Sequence, residues 1–186
     1  MPEGVTRSTG FTIRLATVSD SDAISELIGE SVRGLSASDY SPAEIEASIG
    51  TVFGVDSELI DDETYFVAES QGSLIGCGGW SRRKTLCGSS DFAPTREAGT
   101  LDPITDAAKI RAFFIHPNHA RRGISSAILE KCEEAARAAG FREAEMMATL
   151  PGVRLYSTRG YSPGEPVAIP VGSGQSIECL RMRKKL

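Results

Sequence analysis

Apolar and polar positions along this chain follow two periods, and the switches between them divide it into elements. Residues 11–16, FTIRLA, alternate and predict a strand. SDSDAISELIGESVRGL then carries apolar residues at helical spacing and predicts a helix that begins near Ser19 or Asp20, where an Asp/Ser cluster supplies the cap. Residues 41–49, SPAEIEASI, have the Ser-Pro-x-Glu form of a short capped helix with Pro42 in its first turn. TYFVAES and SLIGCGGWSRRK read as two strands joined at Gln71-Gly72, a hairpin signal. Residues 84–106 break the rhythm, and an aperiodic stretch of that length inside a compact domain is either functional or disordered. Strand character returns over 107–117 and stops at Pro117. Residues 123–139 set Ile124, Ala127, Ile128, Cys132, Ala135, Ala136 and Ala139 on one helical stripe, closed by Gly140. EAEMMATL predicts a strand, GVRLYSTRG a short helix ended by Gly160, YSPGEPVAIPV a broken strand and SIECLRMRKKL a last alternating strand. The predicted order is β-α-α-β-β-β-α-β-α-β-β, an α/β or α+β mixture.

Composition narrows what such a domain does. With 186 residues, 40% of them hydrophobic, the expectation is a disordered leader over 1–10 and a single domain over 11–186. A net charge of −5 argues against a nucleic-acid partner held by a basic face. The N-terminus lacks the apolar region of a signal peptide, and no stretch approaches the roughly 20 apolar residues of a membrane span, so a cytoplasmic protein without a membrane partner is expected. Cys77, Cys87, Cys132 and Cys179 form no CxxC pair, which points to reduced packing residues. His116 and His119 make an H-x-x-H pair interrupted by Pro117 with no third ligand nearby, so no metal is expected. No G-x-S-x-G elbow or GxxxxGK[ST] loop occurs.

The unusual chemistry lies in IHPNHARRGISSAILEKC. Arg121 and Arg122 precede Gly123 at the start of a helix, where the unpaired N–H groups and the positive dipole end would favour acidic residues. Cations there suggest an external anion. Gly123 permits close backbone approach, Ser125 and Ser126 add hydroxyl donors, and the arginines could pair a pyrophosphate bidentately. The plain alternative is a solvated basic step beside a turn.

FFIHPNHARRGISSAIL resembles the signature of the GNAT superfamily of N-acetyltransferases, a strand ending in a Val/Ile-x-Pro step, a Q/R-x-x-G-x-G/A turn and the central helix. RLYSTRGYSP, with Tyr156 placed 33 residues after Gly123, is similar to that family's L-Y-x-x-x-G-F segment. The resemblance spans about residues 11–183 in element order and is strong over about 109–163. Ala120 stands where the signature has Gln or Arg, Ser125 replaces the last small residue, Thr149 stands where many members carry Asn, and Lys109 stands at a glutamate base of the histone-modifying branch.

The resemblance implies a central mixed, mostly antiparallel sheet flanked by helices, and acetyl transfer from acetyl-CoA to a primary amine by direct attack in a ternary complex. In that reading the pantetheine arm pairs with the backbone of Phe113, Phe114 and Ile115, the pyrophosphate sits on the turn built from Arg121, Arg122, Gly123, Ile124, Ser125 and Ser126, and Thr149 adds a cofactor contact. A backbone N–H near Phe114 or Ile115 would polarise the thioester, and Tyr156 would protonate the leaving thiolate, a phenol being near a thiol in acidity. Insertion beside the 108–115 strand requires its neighbour to splay away. The base is unassigned among Glu145, Asp102, Asp106, His116 and water. Tyr40, Trp80, Arg82 and Arg111 are candidates for the acceptor pocket. The expected partner is a small-molecule amine; a homodimer stays open, as do acetylation of a protein N-terminus or lysine and a non-catalytic acyl-CoA sensor.

Overall fold

A computed structural model describes residues 10–186, so residues 1–9 of the expected leader lie outside the described residues. One sheet organises the chain: seven strands in the order β1-β2-β3-β4-β5-β7-β6. They are β1 (Thr12–Leu15), β2 (Tyr65–Ser70), β3 (Ser73–Ser81), β4 (Ala108–Ile115), β5 (Glu143–Thr149), β6 (Ser162–Gly172) and β7 (Gln175–Lys185). The β4–β5 pairing is parallel and the other five are antiparallel, in agreement with the mixed, mostly antiparallel expectation.

The helices are α1 (Ser21–Leu35), α2 (Pro42–Ser48), α3 (Ser57–Asp61), α4 (Ile124–Ala138) and α5 (Leu150–Thr158). Ser41 caps α2 in a reciprocal box with Glu44, as the Ser-Pro-x-Glu pattern requires. The predicted element order holds except for α3, whose five residues are too few to display a helical period. Two apolar layers sandwich the sheet. One joins Ile24, Leu27, Leu59, Tyr65 and Val67, beneath α1–α3; the other joins Ile124, Ile128, Cys132, Ala136 and Tyr156, beneath α4 and α5.

Two irregularities open and shape the middle of the sheet. β4 and β5 register only at Ala108↔Ala144 and Lys109↔Glu145 and then part, while β5 stays paired with β7 through Thr149. Lys109, Glu145 and Arg181 form an ion-paired row across β4, β5 and β7 at this junction. Beyond it, β4 keeps β3 as its ladder partner and the sheet opens into a wedge. Second, Cys77 pairs with Phe114 but Gly79 with Arg111, so one residue of β3 faces two of β4, and Ala112 takes a left-handed φ of 56°. A Cβ on Gly78 would lie 2.7 Å from the Phe113 ring, which accounts for a glycine in mid-strand here.

Candidate functional site

The wedge is the mouth of a cavity of about 610 Å³. Its first wall is the turn into α4. Gly123 caps that helix at φ 81°, with no side-chain cap and no acidic residue in the first turn. The N–H groups there are therefore open to an anion. Arg121, Gly123, Ile124, Ser125 and Ser126 line the cavity, and the two serine hydroxyls have no hydrogen-bond partner among the described residues. Arg121 is itself left-handed, with φ 62°. Arg122 is corrected: it is exposed and does not line the cavity. Arg121, also exposed, borders the cavity mouth at its left-handed step.

Phe113, Phe114 and Ile115 form the strand wall, with Thr149 across the gap on β5. The Ile115 N–H donates to Ser31 Oγ at 3.1 Å and the Phe114 N–H lies against the Cys77 thiol, so neither is a vacant donor, contrary to the sequence expectation. Ser31, on α1, lines the cavity, and its own hydroxyl proton has no acceptor among the described residues. The Thr149 hydroxyl precedes α5 without capping it.

Tyr156 projects from α5 into the cavity. Its ring meets Phe113 edge-to-face at 6.2 Å and Tyr161 at 6.1 Å, and it packs over Gly152, where a Cβ would come within 2.8 Å. The phenol is a cavity-wall group with no hydrogen-bond partner in the described protein. Burial pushes its pKa above the ordinary phenol value, so it stays protonated throughout the neutral range.

The far wall combines Val52, Phe53 and Gly54 with Leu86, Cys87 and Gly88 from the long loop. That loop is folded over the cavity. Ser89 Oγ donates to the Thr51 carbonyl at 2.6 Å, Ser90 Oγ accepts from the Ser57 N–H at 2.6 Å, and Arg111 donates to the Gly88 carbonyl at 2.9 Å. Behind it, Arg96 pairs with Glu58, and Arg111 with the fully buried Asp56.

Of the four acceptor-pocket candidates only Arg111 lines the cavity. Tyr40 is corrected to a structural bridge: its buried hydroxyl donates to the Glu178 carbonyl at 2.6 Å and accepts from the Leu150 N–H at 2.9 Å, fixing the start of α5 to β7. Trp80 is corrected to a core residue on the α4 side, edge-to-face with Phe141 at 6.0 Å, and Arg82 is an exposed residue stacked over it at 5.6 Å. The candidate bases stand elsewhere too. Glu145 is buried, which by itself raises its pKa, but the Lys109 and Arg181 hydrogen bonds outweigh that and hold it charged. Asp102 and Asp106 bind each other's turn, and His116 faces Asn118 and Glu30. Sequence reasoning missed Ser31, the 52–54 segment, Met147, Ile169 and Cys179, all of them cavity-lining.

Among the described residues no group of three His, Cys, Asp or Glu side chains could hold a metal, and no helix is long and apolar enough to cross a membrane. The model of the GNAT acetyltransferase family matches residues 30–161. None of the curated proteins matches the sequence. Among solved structures, the GCN5-related N-acetyltransferase from Rhodopseudomonas palustris is 20% identical with a TM-score of 0.69, over 94% of this chain and 95% of that one. The PaiA N-acetyltransferase from Thermoplasma acidophilum, in complex with coenzyme A, is 16% identical with a TM-score of 0.63, over 95% and 99%. YncA from Salmonella typhimurium, with its cofactor acetyl-CoA, is 17% identical with a TM-score of 0.63, over 95% and 94%. At these identities the likeness establishes the fold.

Proposed function

The chain belongs to the GNAT acetyltransferase family, and from that premise we propose that it moves an acetyl group from acetyl-CoA to the amine of a small molecule. The observation that carries the small-molecule reading is the folded loop 84–106, which closes the far wall with Leu86, Cys87 and Gly88 where a peptide would need an open groove. Relatives bound to CoA and acetyl-CoA support the donor.

Each residue then has a task. The α4 turn receives the pyrophosphate through backbone N–H groups, the Ser125 and Ser126 hydroxyls and the Arg121 guanidinium. The pantetheine arm enters the wedge along β4 beside Phe113, Phe114 and Ile115, with Ile124 beneath it and the Thr149 hydroxyl opposite. Arg122, exposed at the rim, contributes long-range attraction alone. Ser31, fixed by the Ile115 N–H, directs its proton at the thioester oxygen and stabilises the charge that develops there. The amine nitrogen attacks the carbonyl carbon, the C–S bond breaks, Tyr156 gives its proton to the departing thiolate, and the proton lost from nitrogen leaves through water. Burial of Tyr156 keeps the acid loaded, and the same desolvation raises the thiolate's proton affinity.

Release of free CoA thiol, followed across a panel of small amines and of peptides with free N-termini or lysines, tests the reading. Turnover with small amines alone is expected. Turnover confined to peptides would move the acceptor to protein, and tight acetyl-CoA binding without transfer to anything would make the protein a sensor.

A further inference from the structure

The wedge opens through the sheet, so the two reactants meet from opposite faces. Phe113 and Tyr156 belong to the apolar layer under α4 and α5, whereas Phe53, Phe114, Met147, Ile169 and Cys179 belong to the layer under α1–α3. The acceptor's side of the cavity is therefore walled by Phe53, Leu86, Phe114, Met147 and Ile169, with Phe53 and Phe114 packed edge-to-face at 5.7 Å. Among the described residues, the one charged side chain in that wall is a cation, Arg111, itself 1% exposed. Its Nε and Nη1 have no hydrogen-bond acceptor among the described residues.

An ammonium entering here exchanges water for hydrocarbon and finds no free counter-charge, because the nearest carboxylate, the fully buried Asp56, is already ion-paired to Arg111, and burying a charge without a counter-charge is strongly unfavourable. A neutral amine avoids that cost. We propose that the acceptor is a weakly basic amine on an apolar body, bound and acetylated as its free base without a side-chain base from the protein. This inference rests on the acetyl-transfer reading and names its substrate class.

The titratable groups facing the acceptor are Arg111 from β4, Cys87 from the loop, Cys179 from β7 and Tyr156 from α5; α1 and the 52–54 segment contribute none, and the buried Asp56 behind Arg111 is held in ion pairs with Arg111 and Arg96. Burial pushes both thiols and the phenol up, Cys179 to about 12. His119 lines the cavity at the α4 turn, away from the acceptor wall. The pH at which kcat/KM levels off is thus the amine's own pKa, with the rate rising as pH climbs towards it.

Phenylalanine amide and phenethylamine share a phenylethyl body but differ in nitrogen basicity. With α-amine and alkylamine pKa values of about 8 and 10.4, their free-base fractions at pH 7 differ by about 200-fold. Greater nucleophilicity of the more basic nitrogen returns about tenfold at a slope of about 0.4–0.5 per pK unit, taken from thiols. Thiol release at saturating acetyl-CoA, measured from pH 6 to 10, is expected to favour the amide by about 20-fold at pH 7, with each profile levelling at its own amine's pKa. Leu86→Glu, which puts a carboxylate in the acceptor wall, should cut that preference at least about tenfold. A shared break below about pH 8 for both amines, equal rates at pH 7, or unchanged selectivity in Leu86→Glu overturns the inference while leaving acetyl transfer standing. No thiol release with any amine, despite bound acetyl-CoA, instead overturns the transfer reading on which it rests.

Discussion

Replacing Tyr40 by Phe removes a single oxygen and two hydrogen bonds, to the Glu178 carbonyl and from the Leu150 N–H. The ring stays, so the packing of a residue that is 6% exposed is preserved. Each neutral hydrogen bond contributes about 0.5–1.5 kcal/mol net, and the Leu150 N–H, in the first turn of α5, loses its only side-chain acceptor. The sum is about 2 kcal/mol, which for a domain of this size lowers Tm by about 4–8 °C. Calorimetry and urea unfolding measure it, with the urea slope unchanged because the same surface is exposed. Because Leu150 begins the helix that presents Tyr156, kcat should fall as well while the acceptor KM holds. A Tm within about 1 °C of the parent, together with a raised acceptor KM, would refute the bridging role and return Tyr40 to the acceptor pocket.

The cavity walls set three further expectations. Arg121→Glu should weaken acetyl-CoA binding by about 10–100-fold through loss of a charge-assisted contact, and Arg122→Glu by far less; calorimetric titration giving equal losses would displace the pyrophosphate from the turn. Tyr156→Phe should lower kcat by about 10²–10⁴-fold at unchanged acetyl-CoA Kd, and an unchanged kcat rules out the acid. Ser31→Ala should lower kcat by about 10²-fold in steady-state assays, whereas a loss confined to KM would deny it the thioester oxygen.

Local patterns are legible in the sequence, and pairings between distant segments are not. The stripe from Ile124 to Ala139 and the closing Gly140 announce α4 because helical period and cap are both local. Gly123 before Ser125 and Ser126 likewise marks the uncapped start of α4, but which of two adjacent arginines borders the cavity depends on the left-handed backbone at Arg121. Trp80 misleads although β3 alternates regularly up to it: Gly76 and Gly78 face Ile124 and Phe113, Trp80 falls on that same α4 side, and which face of the sheet borders the 84–106 loop is set by distant segments. The loop 84–106 reads as aperiodic for a physical reason: its order comes from distant partners, Thr51 for Ser89 and Ser57 for Ser90. Tyr40 is the extreme case, its two partners lying 110 and 138 residues away.

The extra residue that β4 carries at Ala112 changes what can be altered independently in this protein. Strict alternation would set Arg111 on the same face as Phe113 and Ile115; the left-handed step shifts it to the side of Ala112 and Phe114, where it meets Asp56 and Gly88. In the proposed reading, neighbouring codons thus face different reactants, 113 the donor and 111 the acceptor, with 114 bordering both. A library randomised at 53, 86 and 169 would sample new acceptors while leaving every residue assigned to acetyl-CoA binding untouched. Drift at those positions offers an evolving lineage the same freedom, a change of substrate without a change of cofactor.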